Sequence, residues 1–311
     1  MGPLGRWRTV AVHAGAVALA VTWSACRSPE FPEVEVSFDG GLVPVAAESA
    51  GPGAARVVVA AMLSPEDTYS AYAQLLAHLS REMNVPLSLT QRRSYREANE
   101  LLVTGRIDVA FVCTGGYAEL LARGEPVEVL AVPVARGEMT YRSLIIVPAS
   151  SSATQLADLA GRRFAFTDEL SLSGYAYPSW AVRQQGLDPK RFFAVSYFTH
   201  SHDRSIRAVA QGLVDGAAVD GLIFDELVAR NPGLGRAVRV IHRSEALGIP
   251  PVVALKRGDP ALRRRFREAL LSLHETEAGR ALLRAAGFER FSTPRPGLYD
   301  SALTIMGEVL P

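Results

Sequence analysis

Three polar clusters in this chain have the residue types and spacing to hold a small anion. The first lies in "DVAFVCTGGYAELL", where Cys113 is followed by Thr114, Gly115, Gly116 and Tyr117. An apolar strand that runs into a hydroxyl and two glycines before a helix presents free backbone N–H groups to an anion. A thiol at such a helix start has its pKa lowered and suits a thiophilic ligand. The alternative is that Cys113 is a small buried apolar residue closing the strand. The second cluster is "FAFTDELSLSGYAYP", in which a strand ends in a turn bearing Ser171, Ser173 and Gly174. Neutral hydroxyl and backbone donors there suit reversible binding of a phosphate-like anion, and the same serines also read as an ordinary helix cap. The turn lacks the lysine of a nucleotide P-loop, so nucleotide hydrolysis fits poorly.

The third cluster, "YFTHSHDRSIRAVAQGLVDGAAVD", sets His202 and Asp203 at a strand-to-helix junction and Asp220 at the end of the next strand. His202 or Asp220 can accept a proton from a hydroxylated anion or bind an amino substituent; read blandly, Asp203 is a helix cap and Asp220 a turn residue. An enzyme reading would make Cys113 a nucleophile and His202 its base. It needs a carboxylate to orient the imidazole, and Asp203, adjacent in sequence, is badly placed for that. Metal binding is weaker still, because strand alternation would point the two imidazoles of "HSH" apart. No cofactor is called for.

The elements that must position these clusters are legible from periodicity. "ARVVVAAML", "VPLSLT" and "IDVAFV" are apolar runs of strand length separated by helical patterns, and Gly105 stands where the second helix should stop. A second series follows "SLIIVP", with strands "RFAFT", "FFAVSYF" and "AAVDGLIF" alternating with helices. Alternation of this kind predicts mainly parallel sheets covered on both faces. After "GIPPVVALKRG" only helical patterns remain, among them "PALRRRFREALLSLHET", whose Leu262, Phe266, Leu270 and Leu273 face inward. Its arginines read as a solvated face, or as a docking surface for a partner. The prediction is an α/β protein with two lobes joined by two crossing strands near Tyr141–Val147 and Ile249–Leu255. Lobe one comprises residues 56–142 and 249–311, lobe two residues 143–248, and the cleft between them is the expected site.

With 48% apolar residues the chain can bury a substantial core, and a formal charge of +1 gives no global field for nucleic acid or an anionic membrane. Arg6, Arg8, the apolar run Val10–Val21 and "WSAC" read as an export signal over residues 1–26. Ser24 and Ala25 before Cys26 resemble a bacterial lipoprotein cleavage box, with Trp23 where leucine is usual. That resemblance implies lipidation of Cys26, attachment to the periplasmic face of a membrane, and a tether over residues 27–55 in which "VEVSF" is a candidate short strand.

From about Val57 to Gly287 the sequence resembles the PhnD-like phosphate, phosphite and phosphonate-binding proteins of ABC transporters. The segments that carry the likeness are "GRIDVAFVCTGGY", "FAFTDELSLSGYAYP", "SHDRSIRAVAQGLVDGAAVD" and "GIPPVVALK", in family order. The resemblance implies a periplasmic-binding-protein clamshell that closes on a small oxyanion and performs no catalysis. It carries the family's hydroxyl cradle onto Ser171, Ser173 and Gly174, its histidine onto His202 and its acidic residue onto Asp220, with Tyr69 and Tyr117 as further assignments. Leu172 departs from the pattern, since a hydroxyl residue usually stands between the two serines. A related branch senses arsenic oxyanions and signals to a membrane histidine kinase. Its arsenite-recognising members resemble this chain in carrying a cysteine at the lobe-one site. Two readers therefore remain open for the closed form, an ABC permease and a sensor kinase.

Overall fold

A computed structural model describes residues 53–310. The leader, Cys26, "VEVSF" and nearly all of the expected tether lie outside the described residues. No helix among the described residues is long and apolar enough to cross a membrane.

The chain enters at β1 (Ala55–Val59) and α1 (Pro65–Met83), continues through β2 (Leu87–Gln91) and α2 (Tyr95–Val103), and then β3 (Val109–Phe111), α3 (Thr114–Ala122) and β4 (Val127–Val134). It crosses at β5 (Thr140–Tyr141) into β6 (Ser143–Pro148), β7 (Arg163–Phe166), a π-helical turn (Leu172–Ala176) and α4 (Tyr177–Arg183). Next come α5 (Pro189–Phe192), β8 (Val195–Phe198), α6 (His202–Ala210), β9 (Gly216–Asp220), α7 (Gly221–Arg230), α8 (Pro232–Ala237) and β10 (Val238–Arg243). It returns at β11 (Leu247–Gly248) to β12 (Val252–Leu255), α9 (Pro260–Ser272), α10 (Glu277–Ala285), β13 (Arg290–Ser292) and α11 (Asp300–Val309).

These strands build two sheets, ordered β13-β4-β12-β3-β1-β2 and β10-β6-β9-β7-β8, and the short ladder β11-β5 ties the two crossings together. This is the two-lobed architecture the sequence predicts. The sheets are less parallel than expected. β1 pairs in parallel with β2 and β3, and β7 with β8 and β9, whereas β12, β13, β6 and β10 run antiparallel to their neighbours. The simple βαβ expectation holds for β1, β2 and β3 and for β7, β8 and β9, and the remaining pairings depart from it. β13 and β10, short or mixed in polarity, had no legible strand signal.

Strand alternation assigns each face. Val57 and Val59 pack with Leu75, Leu79, Phe266 and Leu270 on one side of the first sheet, while Val58 packs with Leu101, Leu102 and Val253 on the other. In the second sheet Leu144 and Ile146 meet Ile206 and Val209, and Ile145 and Val147 meet Phe164 and Phe166. The arginine-rich helix α9 buries Phe266 and Leu270 as expected, with Leu273 buried just past its end and Leu262 half-buried. Arg263 and Arg267 both grip Glu128 of β4, so part of its basic face is already partnered. A fifth apolar cluster joins the lobes, drawing Tyr95, Cys113 and Ala118 from one, Leu170, Leu172 and Ala176 from the other, and Ala302, Ile305 and Met306 of α11.

Candidate functional site

The strand ends of both lobes meet at one seam, and what holds it is a set of contacts at helix starts. α1 begins at Ser64, whose backbone N–H donates to Asp203 Oδ1 of lobe two at 2.9 Å. α2 begins at Tyr95, whose N–H donates to Asp168 Oδ2 at 3.2 Å. Free N–H groups at a helix start favour a negative charge, and here the opposite lobe supplies a carboxylate to each. The backbone of His202 donates to Met62 O at 3.1 Å, and the Cys113 thiol donates to Leu170 O at 3.3 Å. Asp203 is thus a cap, though of a helix in the other lobe.

Cys113 is the N-cap of α3, and its Sγ also accepts from Gly116 N–H at 3.1 Å. Sequence reasoning expects a lowered thiol pKa at this position. The structure reverses that expectation: burial pushes the pKa well above the ordinary thiol value, Asp168 adds to the rise, and the helix-start N–H groups offset only part of it. The group is a neutral thiol using both hydrogen-bonding roles. At Gly115 the lobes approach closely, because an added Cβ would lie 2.9 Å from Leu172 N and closer still to Leu170 O.

Ser171 caps the π-helical turn, its Oγ accepting from Gly174 N–H at 3.0 Å. The capping reading of this serine therefore holds structurally. A Cβ on Gly174 would fall 2.9 Å from that Oγ and run into Thr167, so the tight turn requires glycine. Ser173 is buried, its carbonyl accepting from Ser143 Oγ at 2.7 Å. Its side chain and that of Thr114 both reach the Tyr141 hydroxyl, which brings lobe one, lobe two and a crossing strand to one point. Leu172, where a hydroxyl residue is usual, is buried in the apolar cluster between the lobes.

His202 Nδ1 accepts from Asp220 N–H at 3.1 Å, so the ring proton sits on Nε2, and Thr167 Oγ1 lies at 3.1 Å from the same nitrogen. Burial lowers the imidazole pKa to about 3, which keeps it neutral. Asp220 caps α7, accepting from Leu222 N–H at 2.7 Å and Ile223 N–H at 3.2 Å. Burial raises its pKa to about 7 in spite of those bonds. The thiol and the imidazole each spend their hydrogen bonds on other partners, so the pair does not form the base-activated nucleophile that an enzyme would need.

Of the residues singled out by sequence, Cys113, Thr114, Gly115, Ser171, Ser173, Gly174, His202 and Asp220 thus come together along the seam. Tyr69 is 62% exposed, and the structure does not bring it to the others; Tyr117 stays beside Cys113, its N–H donating to Cys113 O at 2.9 Å and its ring packing edge-on against Tyr299 with centroids 4.8 Å apart. Sequence reasoning missed Tyr95 and Asp168. The Tyr95 hydroxyl is fully buried and has no hydrogen-bond partner among the described residues. Burial first, and then the charges of Cys113, Asp168 and Asp220, push its pKa well above the usual phenol value, so it stays a neutral donor within electrostatic reach of all three. Asp168 lies directly after strand "FAFT", where its place at the same sheet edge as Ser171 was a usable signal. Beside the seam, with Asp220 in its wall, a cavity of about 530 Å³ opens between the lobes.

The family described as ABC transporter, phosphonate, periplasmic substrate-binding protein matches residues 57–299. The phosphate-import protein PhnD of Mycolicibacterium smegmatis is 26% identical over 171 residues, 52% of this chain and 52% of that protein. The chain thus spans about half the length of the curated relatives it matches. In fold it is similar to a binding-protein component of an ABC phosphonate transporter from Pseudomonas aeruginosa, with TM-score 0.75 and 20% identity over 81% of this chain and 85% of that one. It is equally similar to PhnD1 of Prochlorococcus marinus in complex with methylphosphonate, with TM-score 0.75 and 18% identity over 83% and 98% of the two chains.

Proposed function

The chain belongs to the phosphonate-binding family of ABC-transporter periplasmic substrate-binding proteins, and on that premise we propose that it captures a phosphorus oxyanion at the seam and hands it to an ABC permease. The observation that carries this reading is the Tyr95 hydroxyl, a buried donor without an acceptor among the described residues at the point where both lobes converge. Buried polar groups are almost always paired, and an exception beside helix starts and serine hydroxyls calls for an acceptor oxygen from a ligand. In this reading Cys113, Thr114, Gly115, Ser171, Ser173, Gly174, His202 and Asp220 form the walls of the site. An oxyanion bridging the two sets of donors favours the closed form, which the permease reads. The export signal and lipidation at Cys26 belong to the same proposal and would hold the protein at the membrane where its permease sits.

Sensing of arsenite through Cys113 and a membrane kinase is the less favoured reading. Its support is the position of the thiol at the seam, and the raised thiol pKa weighs against it.

The test is calorimetric titration of phosphate, phosphite, methylphosphonate, arsenate and arsenite into the protein and into Tyr95→Phe. The substitution removes a hydroxyl that pays desolvation without a partner, so the variant melts no lower than the parent. It loses a hydrogen bond to a charged ligand, so phosphorus-oxyanion affinity falls by about ten- to a hundredfold. Unchanged affinity in Tyr95→Phe, or no phosphorus oxyanion binding at all, rules the reading out. Arsenite binding abolished by Cys113→Ser transfers the conclusion to sensing.

A further inference from the structure

A second hollow, of about 490 Å³, lies where the chain crosses between the two sheets, and it adjoins the larger cavity at Arg136 and Leu222. Four arginines line it. Arg136 follows β4 and Arg295 follows β13, both strands of the first sheet, while Arg142 directly precedes β6 and Arg243 ends β10, which are neighbours in the second. Glu138 and Asp225 are the carboxylates in the same wall, so the lining carries two uncompensated positive charges. None of the thiol, serine, imidazole or Asp220 side chains of the seam lines this hollow.

What the arginines already hold divides them into two pairs. Arg136 meets Asp225 at 2.6 Å, and Arg142 donates to the carbonyl of Ser244. Arg243 and Arg295 are exposed, and neither guanidinium has a hydrogen-bond or ion-pair partner among the described residues. The turn that carries Arg136 is fixed in place. Ala135 and Glu138 exchange both backbone hydrogen bonds across it, Arg136 takes a left-handed φ of 54° where asparagine or glycine is usual, and the N–H of Gly137 donates to Glu289 Oε2 at 3.0 Å. Like charges gathered around one concave space focus their field on any anion that enters it.

The geometry points to a second anion site at the crossing, separate from the seam, for a soluble oxyanion that carries two or more acid groups, with Arg243 and Arg295 as its principal contacts and Arg136 and Arg142 beside them. A guanidinium presents a planar fork that pairs with two oxygens of one phosphate or carboxylate, so two free forks around one space suit an anion with two such groups. The size agrees, because at ~30 Å³ per heavy atom pyrophosphate fills roughly half of the hollow. The inference does not rest on the oxyanion reading of the seam.

The experiment is calorimetric titration of pyrophosphate and of citrate, at low ionic strength and with methylphosphonate in excess, into the full chain and into Arg243→Gln, Arg295→Gln and the double variant. Both residues are exposed and without partners among the described residues, so the variants should melt with the parent and bind methylphosphonate as the parent does. The expected result is one site for pyrophosphate or citrate in the parent, weakened at least about tenfold by each single substitution and lost in the double variant. If neither anion binds while methylphosphonate is present, or if the double variant binds them as the parent does, the inference is overturned. If methylphosphonate itself does not bind, the oxyanion reading of the seam falls, and the comparison of parent with arginine variants still decides this site.

Discussion

Replacing Gly115 by alanine should prop the lobes apart without harming either of them. The added Cβ would sit 2.9 Å from Leu172 N, where ordinary contact begins at 3.4 Å, and closer still to Leu170 O. Those are backbone atoms of the other lobe, so no side-chain rotation relieves the clash, and the lobes must separate by more than half an ångström. That movement stretches the Cys113–Leu170 contact at 3.3 Å and the Asp168–Tyr95 contact at 3.2 Å, the second already at the long end for an N–H···O bond. Overpacking of a tight contact costs about 1–3 kcal/mol, which shifts the closed-to-open ratio by roughly five- to a hundredfold and lowers ligand affinity by a similar factor. The residue lies in α3, where alanine is favoured over glycine by about 1 kcal/mol, so loss of lobe-one stability cannot account for the effect. Gly116→Ala is the control, because its Cβ would meet Cys113 Sγ at 3.2 Å and Asn99 at 3.4 Å, all within lobe one. Small-angle scattering of the ligand-free protein should give a larger radius of gyration for Gly115→Ala than for Gly116→Ala or the parent, and methylphosphonate titration should show weaker binding. Identical scattering and identical affinity in Gly115→Ala would refute the argument that this backbone approach governs closure.

Asp220 and Cys113 yield two further predictions. The Asp220 carboxyl is raised from 3.8 to about 7, so the unfolded chain releases this proton first and the native state loses stability as pH climbs between those values. Asp220→Asn keeps an oxygen to cap α7 and has no charge to bury; it should melt higher than the parent at pH 8, by an amount on the order of 4 kcal/mol at most, and close to the parent near pH 4. A constant difference across pH would show that Asp220 does not titrate in this range. For Cys113, the raised pKa and the buried position predict alkylation by iodoacetamide at least about a hundredfold slower in the folded protein than in urea, followed at this residue by mass spectrometry. Comparable rates would show that the thiol is reachable and reopen the thiophilic-ligand reading.

Local pattern was enough to identify most of the elements, β10 and β13 excepted. The apolar run of β1, the Ser-and-glycine turn before α4 and the inward stripe of α9 follow from steric and hydrophobic rules that act within a few residues, and each forms where those rules put it. The two lobes were legible for the same reason, since strand and helix signals alternate twice with extended segments between. Strand direction was not, because it depends on where the returning chain inserts in a sheet built by distant segments, as β12 does between β4 and β3.

The chemistry of the site divides along the same line. Residue types at strand ends marked Cys113, Ser171, His202 and Asp220 as polar groups at a shared edge, and nothing local says how water and charge surround them. Only the packed molecule decides that the Cys113 thiol is held neutral, that Asp203 and Asp168 cap helices of the opposite lobe, and that the Tyr95 hydroxyl has no partner among the described residues. Burial and long-range partners set pKa values and hydrogen-bond accounts, and both are properties of the whole fold rather than of any segment.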